Sequence, residues 1–222
     1  MKLLKSALII TTLSLFLFNC KSAYVHNDFN TKTANHSKIA VLPFKIVTSG
    51  NLPKNTTKSE IKKIQEEESV LFQASLINQL LKKDAQRGNK DLKVEILSLV
   101  STNSILKEKG YSISEITTMD PSKLATILNV DAVVSSSIQK QRYMSNLASA
   151  GVELGNRILK KFDINVDNRT NDIYITSNIV NKNDGTNLFS ISKKTKIDWR
   201  TNTNNIIENV NRKITRNFPY LD

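Results

Sequence analysis

The sequence predicts a single α/β domain of three-layer type with a mixed β-sheet, preceded by a signal peptide and a flexible tether. Two observations predict this fold class. Short apolar runs, typical of buried strands, alternate along the chain with longer segments whose apolar residues recur every three or four positions, as on one face of a helix. The charge-free apolar stretch near the amino terminus covers only twelve residues, which is too short to span a bilayer.

Length and composition restrict the class of protein further. The chain has 222 residues, of which 39% are hydrophobic, and this is enough for one buried core. With 6 Gly, 4 Pro and 1 Cys, collagen-like, disordered Pro/Gly-rich and disulfide-stapled classes are excluded. The formal net charge of +12 would indicate nucleic-acid binding in a cytoplasmic protein. The cellular location therefore decides which anionic partners are available.

The amino terminus predicts export followed by lipidation. Two lysines precede the apolar stretch at residues 7–18, which has the length of a secretory h-region. Cys20, the one cysteine of the chain, follows almost directly. This arrangement resembles a bacterial lipobox, in which the cysteine is acylated and becomes the first residue, although Asn19 stands where a small residue is usual. A signal peptide cleaved near Ala23 and an uncleaved anchor are the alternatives.

Lipidation of Cys20 divides the chain into a signal peptide (1–19), a flexible tether (20–37) and the α/β domain (38–222). Residues 21–38 are polar and unpatterned, as expected for a tether. Two or three acyl chains such as palmitate would hold the protein durably on a membrane. Outside the cytoplasm the available partners are lipid head groups, lipopolysaccharide, other anionic envelope polymers and proteins. Nucleic acid is not an expected partner there.

The first elements of the domain are predicted to be a strand and a long helix. Residues 39–44 form a short apolar run, which Pro43 either ends or places at a sheet edge. After a loop, Thr57 and Glu60 have the spacing of a capping box, and the helix should end near Asp84. Its apolar stripe is expected to consist of Ile61, Ile64, Leu71, Phe72, Leu76 and Leu80.

A second strand, two short helices and a third strand should follow. The alternating residues of the second strand are Leu92, Val94 and Ile96. Residues 102–109 form a short helix that Gly110 closes, and Pro121 opens the next helix. Residues 129–138 lead from the end of that helix into the third strand.

The last third of the chain predicts a helix, a hairpin and a closing helix. Residues 142–162 carry apolar residues at helical spacing. Residues 173–180 and 188–197 alternate around 183–186 (Asn-Asp-Gly-Thr), in which Asp-Gly is a hairpin signal. The closing amphipathic helix would bury Ile206, Ile207, Val210, Ile214 and Phe218. The predicted order is β-α-β-α-β-(α)-β-β-α.

Several segments resemble the amino-terminal domain of TolB-like proteins and curli-secretion-type lipoproteins. Residues 39–44 (Ile-Ala-Val-Leu-Pro-Phe) are similar to the opening strand, 128–136 to a strand that follows a helix, and 183–186 to a late turn. Asn129 stands where these families have Gly. The tail at 218–220 (Phe-Pro-Tyr) resembles that of small Bacteroidetes envelope lipoproteins. The resemblance implies an α/β fold and an envelope location.

No catalytic site, cofactor or metal site is predicted. His26 and His36 both fall in the predicted tether, so residues 38–222 contain neither His nor Cys. Ser-His-Asp, Cys-His and Cys/His zinc chemistry is thereby excluded from the predicted domain. A carboxylate-dependent hydrolase is the remaining enzymatic alternative, and Asp131 and Asp198, both near strand ends, would be its acid pair.

Basic residues concentrate near the carboxyl end, where either general solubility or an anionic partner would explain them. They are Lys193, Lys194, Lys196, Arg200, Arg212, Lys213 and Arg216. The predicted function is that of a non-enzymatic lipoprotein, anchored through Cys20 to the outer membrane and facing the periplasm, that acts as an interaction or assembly module. A hydrolase and a subunit of an oligomeric export assembly are the alternatives, and the oligomeric state is left open.

Overall fold

A computed structural model describes residues 23–50, 57–86, 92–142, 171–197 and 203–221. Across these ranges seven strands form one mixed sheet, and six α-helices pack on its two faces. The predicted α/β class with a mixed sheet in a single domain is confirmed. Among the helices of the described ranges, none is long and apolar enough to cross a membrane.

The strands are β1 (Ala23–Val25), β2 (Lys38–Val41), β3 (Lys45–Gly50), β4 (Glu95–Ile96), β5 (Ala132–Arg142), β6 (Asn171–Asn181) and β7 (Asn187–Ile197). The helices are α1 (Phe29–Thr33), α2 (Lys58–Gln86), α3 (Leu99–Glu108), α4 (Ile113–Ile116), α5 (Pro121–Leu128) and α6 (Thr203–Thr215), and a 3₁₀ turn (Pro219–Leu221) follows. The strand order is β1-β7-β6-β5-β2-β4, and β3 also pairs with β5. We call the end of the sheet with the β6–β7 turn its top, and the end where β3, β5 and β7 finish its bottom.

β2 and β3 are two halves of one interrupted strand. Both pair in parallel with β5, Val41 opposite Val134 and Lys45 opposite Ser137. Between these two pairs the interrupted strand advances by four residues, from 41 to 45, whereas β5 advances by three, from 134 to 137. Pro43 lies in the stretch with the extra residue, where no ladder hydrogen bond is required of it. Of the two predicted roles for Pro43, ending the strand is confirmed, and β2 lies between β4 and β5 rather than at an edge.

α2 provides hydrogen-bond partners for the backbone groups at this interruption. The Gln73 side chain donates to the carbonyl of Val41 at 2.8 Å. The backbone N–H of Phe44 donates to the carbonyl of Ser69 at 3.3 Å. Gln73 and Ser69 are buried among apolar residues, where a polar group without a partner would be costly. The strand break thus explains the polar side chain of Gln73 inside the apolar face of the helix.

The start of α2 matches the prediction better than its stripe does. Thr57 and Glu60 form the predicted capping box, with the Thr57 N–H donating to Glu60 at 2.8 Å and the Glu60 N–H to Thr57 Oγ1 at 3.2 Å. Ile64 and Leu71, predicted inside, are about half exposed at 51% and 52%. Phe72, Leu76 and Leu80 are buried as predicted, and Ser69, Gln73 and Ile77 complete the buried face.

Each face of the sheet carries its own apolar cluster. α2 and α6 cover one face, where Phe44, Phe72 and Phe189 are buried, and α3, α4 and α5 cover the other over β2 and β5. α5 begins at Pro121 as predicted and ends at Asn129, whose φ is +52°. Asn tolerates this left-handed conformation better than most residues other than Gly. Asn129 can therefore form the turn at the position where the resembling families have Gly.

The structure corrects the predicted tether at 20–37. β1 pairs with β7 in antiparallel fashion, Ala23 lying opposite Ile191. α1 follows, and its Phe29 is buried in the core at 7% exposure. A three-residue strand held by backbone hydrogen bonds and one buried Phe in a polar segment produce no periodic pattern, so composition could not reveal them. The described domain begins at residue 23 rather than 38.

The predicted hairpin is confirmed as β6 and β7. Gly185 in its turn has φ +65°, and the Gly185 N–H donates to the Asn181 carbonyl at 3.1 Å. Other predictions lie outside the described residues. These are the signal peptide, Cys20, most of the predicted helix at 142–162, Asp198 and Arg200.

Candidate functional site

An open groove of about 800 Å³ lies between α2 and α6. Four basic side chains and one acidic side chain are among the described residues that line it: Lys82, Lys83, Arg212, Arg216 and Glu208. The apolar residues Leu71 and Ile207 contribute to the wall. The groove therefore combines an apolar strip with a concentration of positive charge.

One of these cations holds the two helices together. Lys83 Nζ donates to the carbonyl of Thr215 at 2.9 Å and to that of Arg216 at 3.4 Å. These carbonyls belong to the end of α6, where a helix lacks backbone partners and favours a positive charge. Gln79 makes a second link by donating to the carbonyl of Glu208 at 3.1 Å. Of the four lining cations, Lys82, Arg212 and Arg216 are exposed, and the acidic Glu208 is exposed as well.

Positive charge also surrounds the buried side of α6. Lys213 donates to Thr195 of β7. Burial lowers the pKa of Lys213 because it disfavours the charged form, and the nearby charges of Lys193 and Arg212 lower it further. Lys213 is therefore a partly buried cation that links α6 to β7.

The structure brings together part of the predicted basic cluster. Arg212 and Arg216 line the groove, whereas Lys194 is exposed beside Asp172 at 2.7 Å and lies 5.0 Å from the ring centre of Tyr174. The groove gains Lys82 and Lys83 from α2, which the sequence analysis did not connect with the carboxyl-terminal cations. The only sequence signal was a Lys-Lys pair in the last turns of a helix.

A second polar cluster lies at the top of the sheet. Tyr220, which is only 1% exposed, has its hydroxyl oxygen 2.7 Å from His36 Nδ1. Asp131, just before β5, accepts hydrogen bonds from the backbone N–H groups of Ser37 at 2.8 Å and Lys38 at 3.0 Å. The prediction that the folded region lacks histidine is therefore wrong, because His26 and His36 both belong to the described domain.

The ionisation of this cluster favours a structural role. Burial raises the pKa of Tyr220, and the charge of Asp131 adds to the effect. Burial lowers the pKa of His36 even though Asp131 opposes this. For Asp131 burial acts to raise the pKa, but the hydrogen bonds from Ser37 and Lys38 outweigh it and the pKa lies below its usual value. Near pH 7 the cluster thus contains an ionised acid that binds backbone, a neutral imidazole and a protonated phenol.

The predicted acid pair is not assembled from the described residues. Asp131 serves as a cap for the chain before β2, and Asp198 lies outside the described ranges. Within those ranges, no group of three or more His, Cys, Asp or Glu residues is arranged to hold a metal ion.

No protein-family model and no curated protein matches the chain. Solved structures that resemble it include lipoprotein GNA1162 from Neisseria meningitidis, with 12% identity and a TM-score of 0.46 over 82% of this chain and 98% of that one. The PelC dodecamer from Paraburkholderia phytofirmans has 13% identity and a TM-score of 0.40 over 84% and 88%. The LpoB C-terminal domain from Salmonella enterica has 12% identity and a TM-score of 0.33 over 73% and 83%. These values are too low for function to be transferred.

Proposed function

We propose that this protein is a lipid-anchored interaction module of the bacterial cell envelope, and that it binds an acidic protein segment in the groove between α2 and α6. The observation that carries the proposal is the convergence of Lys82, Arg212 and Arg216 on one open groove. Guanidinium groups bind carboxylates through paired, charge-assisted hydrogen bonds.

The apolar strip of the groove favours a protein partner over a fully hydrophilic polymer. Leu71 is 52% exposed on the wall of the groove and lies about 16 Å along α2 from Lys82. An amphipathic segment could place apolar side chains on Leu71 and Ile207 and its acidic side chains on Arg212 and Arg216, as in helix-in-groove recognition. A sugar polymer would leave the apolar strip without a complementary surface.

The membrane anchor is proposed from the amino terminus. Cys20 follows a secretory h-region at the position where acylation requires it. We place the anchored domain on the outer membrane, facing the periplasm. Cys20→Ala should abolish acylation and move the protein out of the membrane fraction, as the mass of the mature chain would show. A mature chain that starts at Ala23 or later without acyl mass would contradict the anchor.

A non-enzymatic role is supported by the use of the acids at the top of the sheet. Asp131 is occupied by two backbone N–H groups, and Asp184 by Lys32 at 2.6 Å and by the backbone N–H of Thr186 at 3.0 Å. A general acid or base must instead reach a substrate proton. The geometry of these acids therefore favours binding over hydrolysis.

Photo-crosslinking in intact cells tests the groove. A photoreactive residue at Leu71 should capture a protein, whereas one at Val100, which is 72% exposed on α3, should not. Arg212→Glu combined with Arg216→Glu should remove the Leu71 adduct, and the matched pair Lys107→Glu with Lys109→Glu should leave it unchanged. A carbohydrate adduct at Leu71, or a protein adduct that survives the arginine substitutions, would contradict the proposal.

A further inference from the structure

We propose that the bottom of the sheet rests on anionic lipid head groups, so that the groove cations point away from the membrane. This inference rests on the proposed anchor at Cys20, and its first support is the length of chain between that anchor and the fold. β1 begins at Ala23, so Cys20 and Ala23 are joined by three Cα–Cα steps, which span at most about 11 Å.

The fold extends farther toward the bottom than this connection can reach. Ala23 lies opposite Ile191, and β7 continues for six more residues to Ile197. At about 3.4 Å per residue, the end of β7 lies roughly 20 Å below the start of β1. Because β1 runs from Ala23 opposite Ile191 to Val25 opposite Phe189, its amino-terminal end faces the bottom. An upright domain attached to lipid at Cys20 must therefore bring the end of β7 into the head-group layer.

The charges at the bottom fit an anionic lipid surface. In three ion pairs there, a lysine neutralises an acidic side chain: Lys62 with Glu66, Lys140 with Glu68, and Lys194 with Asp172. The other charged side chains described on the first turns of α2 and the last residues of β7 are Lys58, Lys63, Lys193, Lys196, Glu60 and Glu67. They leave an excess of two positive charges, which anionic head groups attract.

The groove cations lie toward the opposite end of the molecule. α6 follows the bottom end of β7, and its last turn contacts Lys83 in the last turns of α2. Arg212 and Lys82 belong to these final turns, and Arg216 directly follows α6. A membrane at the bottom would leave them accessible to a partner in solution.

Depth-dependent fluorescence quenching tests this orientation. The chain of residues 20–222 would be coupled through the Cys20 thiol to a maleimide lipid in phosphatidylcholine vesicles with 30% phosphatidylglycerol. Trp199, the one tryptophan, lies outside the described residues, but the covalent chain keeps it within about 8 Å of Ile197. Head-group spin-labelled lipid should quench Trp199 at least threefold more than a tryptophan at the top, introduced as Trp199→Phe with Asn183→Trp.

Two further variants separate the roles of connection length and charge. Twelve Gly/Ser residues inserted between Lys21 and Ser22 should reduce the quenching of Trp199, and Lys193→Glu with Lys196→Glu should reduce it further in that background. Equal quenching at positions 199 and 183 would overturn the orientation. Quenching that is the same on pure phosphatidylcholine would overturn the role of anionic lipid. Because the coupling is chemical, neither result depends on whether cells acylate Cys20, which the mass of the native chain decides separately.

Discussion

The top and the bottom of the sheet use charged residues in different ways. At the top, Asp131 and Asp184 bind groups from residues 32–38, a segment more than 90 positions away in sequence. At the bottom, ion pairs leave a surplus of exposed lysine. The acids at the top therefore hold distant parts of the chain together, whereas the unpaired lysines described at the bottom are available to the surroundings. Substitutions at the top should therefore affect folding, and matched ones at the bottom should not.

Tyr220→Ala should have the largest effect on stability. The ring of Tyr220 is 1% exposed and lies 5.3 Å from the ring of Phe29, centre to centre. Truncating a fully buried aromatic side chain costs about 3–5 kcal/mol. Urea denaturation would measure the loss. The control is Tyr174→Ala at the bottom, where the ring is 37% exposed and the loss should be much smaller. Equal losses would mean that the two ends do not differ.

Asp131→Ala should destabilise the domain by about 1–3 kcal/mol, because it leaves the N–H group of Ser37 and the partly buried N–H group of Lys38 without their acceptor. The pKa of Asp131 is lower in the folded state, so its contribution is complete above the unfolded value near 4 and is lost as pH falls through the folded value. Denaturation at pH 7 and pH 3 should show the difference between wild type and variant shrinking in acid. Glu66→Ala, which removes an exposed ion pair with Lys62, should cost under about 0.5 kcal/mol.

Gly185→Val should destabilise the turn at the top by about 1–2 kcal/mol, since a side chain is unfavourable in the left-handed region. A Cβ at this position would meet nothing closer than Ser122 at 3.9 Å, so backbone conformation rather than collision causes the loss. Gly185→Asn should cost less, since Asn129 already adopts a similar φ in this fold. Thermal unfolding of both variants would check the order, and an unchanged melting temperature for Gly185→Val would contradict it.

The smallest effect is the dependence of stability on pH near neutrality, which should arise at the top. The pKa of His36 is lower in the folded state than in the unfolded chain, so the unfolded chain binds more protons as pH falls below about 7. Stability should therefore decrease between pH 7.5 and 5.5. His36→Gln should flatten this decrease. A slope that His36→Gln leaves intact would place the titrating group elsewhere.

The sequence predicted elements that local patterns encode. The capping box at Thr57, the opening Pro121 and the Asp-Gly turn each act within a few residues, so their spacing is sufficient evidence. The mixed sheet followed from the same patterns. Local rules therefore accounted for most helices and for the hairpin.

What the sequence could not predict depends on contacts between distant segments. β1 exists because β7 offers an edge, and Gln73 is buried because Val41 needs a donor. The groove required α2 and α6 to lie side by side, which placed Lys82 and Arg212 on the same groove although they are 130 positions apart in sequence. His36 was assigned to a tether for the same reason, since only the fold brings it to Tyr220.

The interruption between β2 and β3 also sets the parity of the strand. Val41 and Ile46 are five positions apart, so an unbroken strand would point them to opposite faces, yet both belong to the same apolar cluster. The extra residue at the break interrupts the alternation once, so that Val41 and Ile46 lie on the same face of the sheet. Deleting one residue from 42–44 would leave three steps between Val41 and Lys45, as many as β5 has between Val134 and Ser137. A regular strand would then keep Ile46 on its buried face but would lose the break at which Gln73 and Ser69 bind the backbone. The extra residue therefore serves the contact with α2 and is not needed for the pairing with β5.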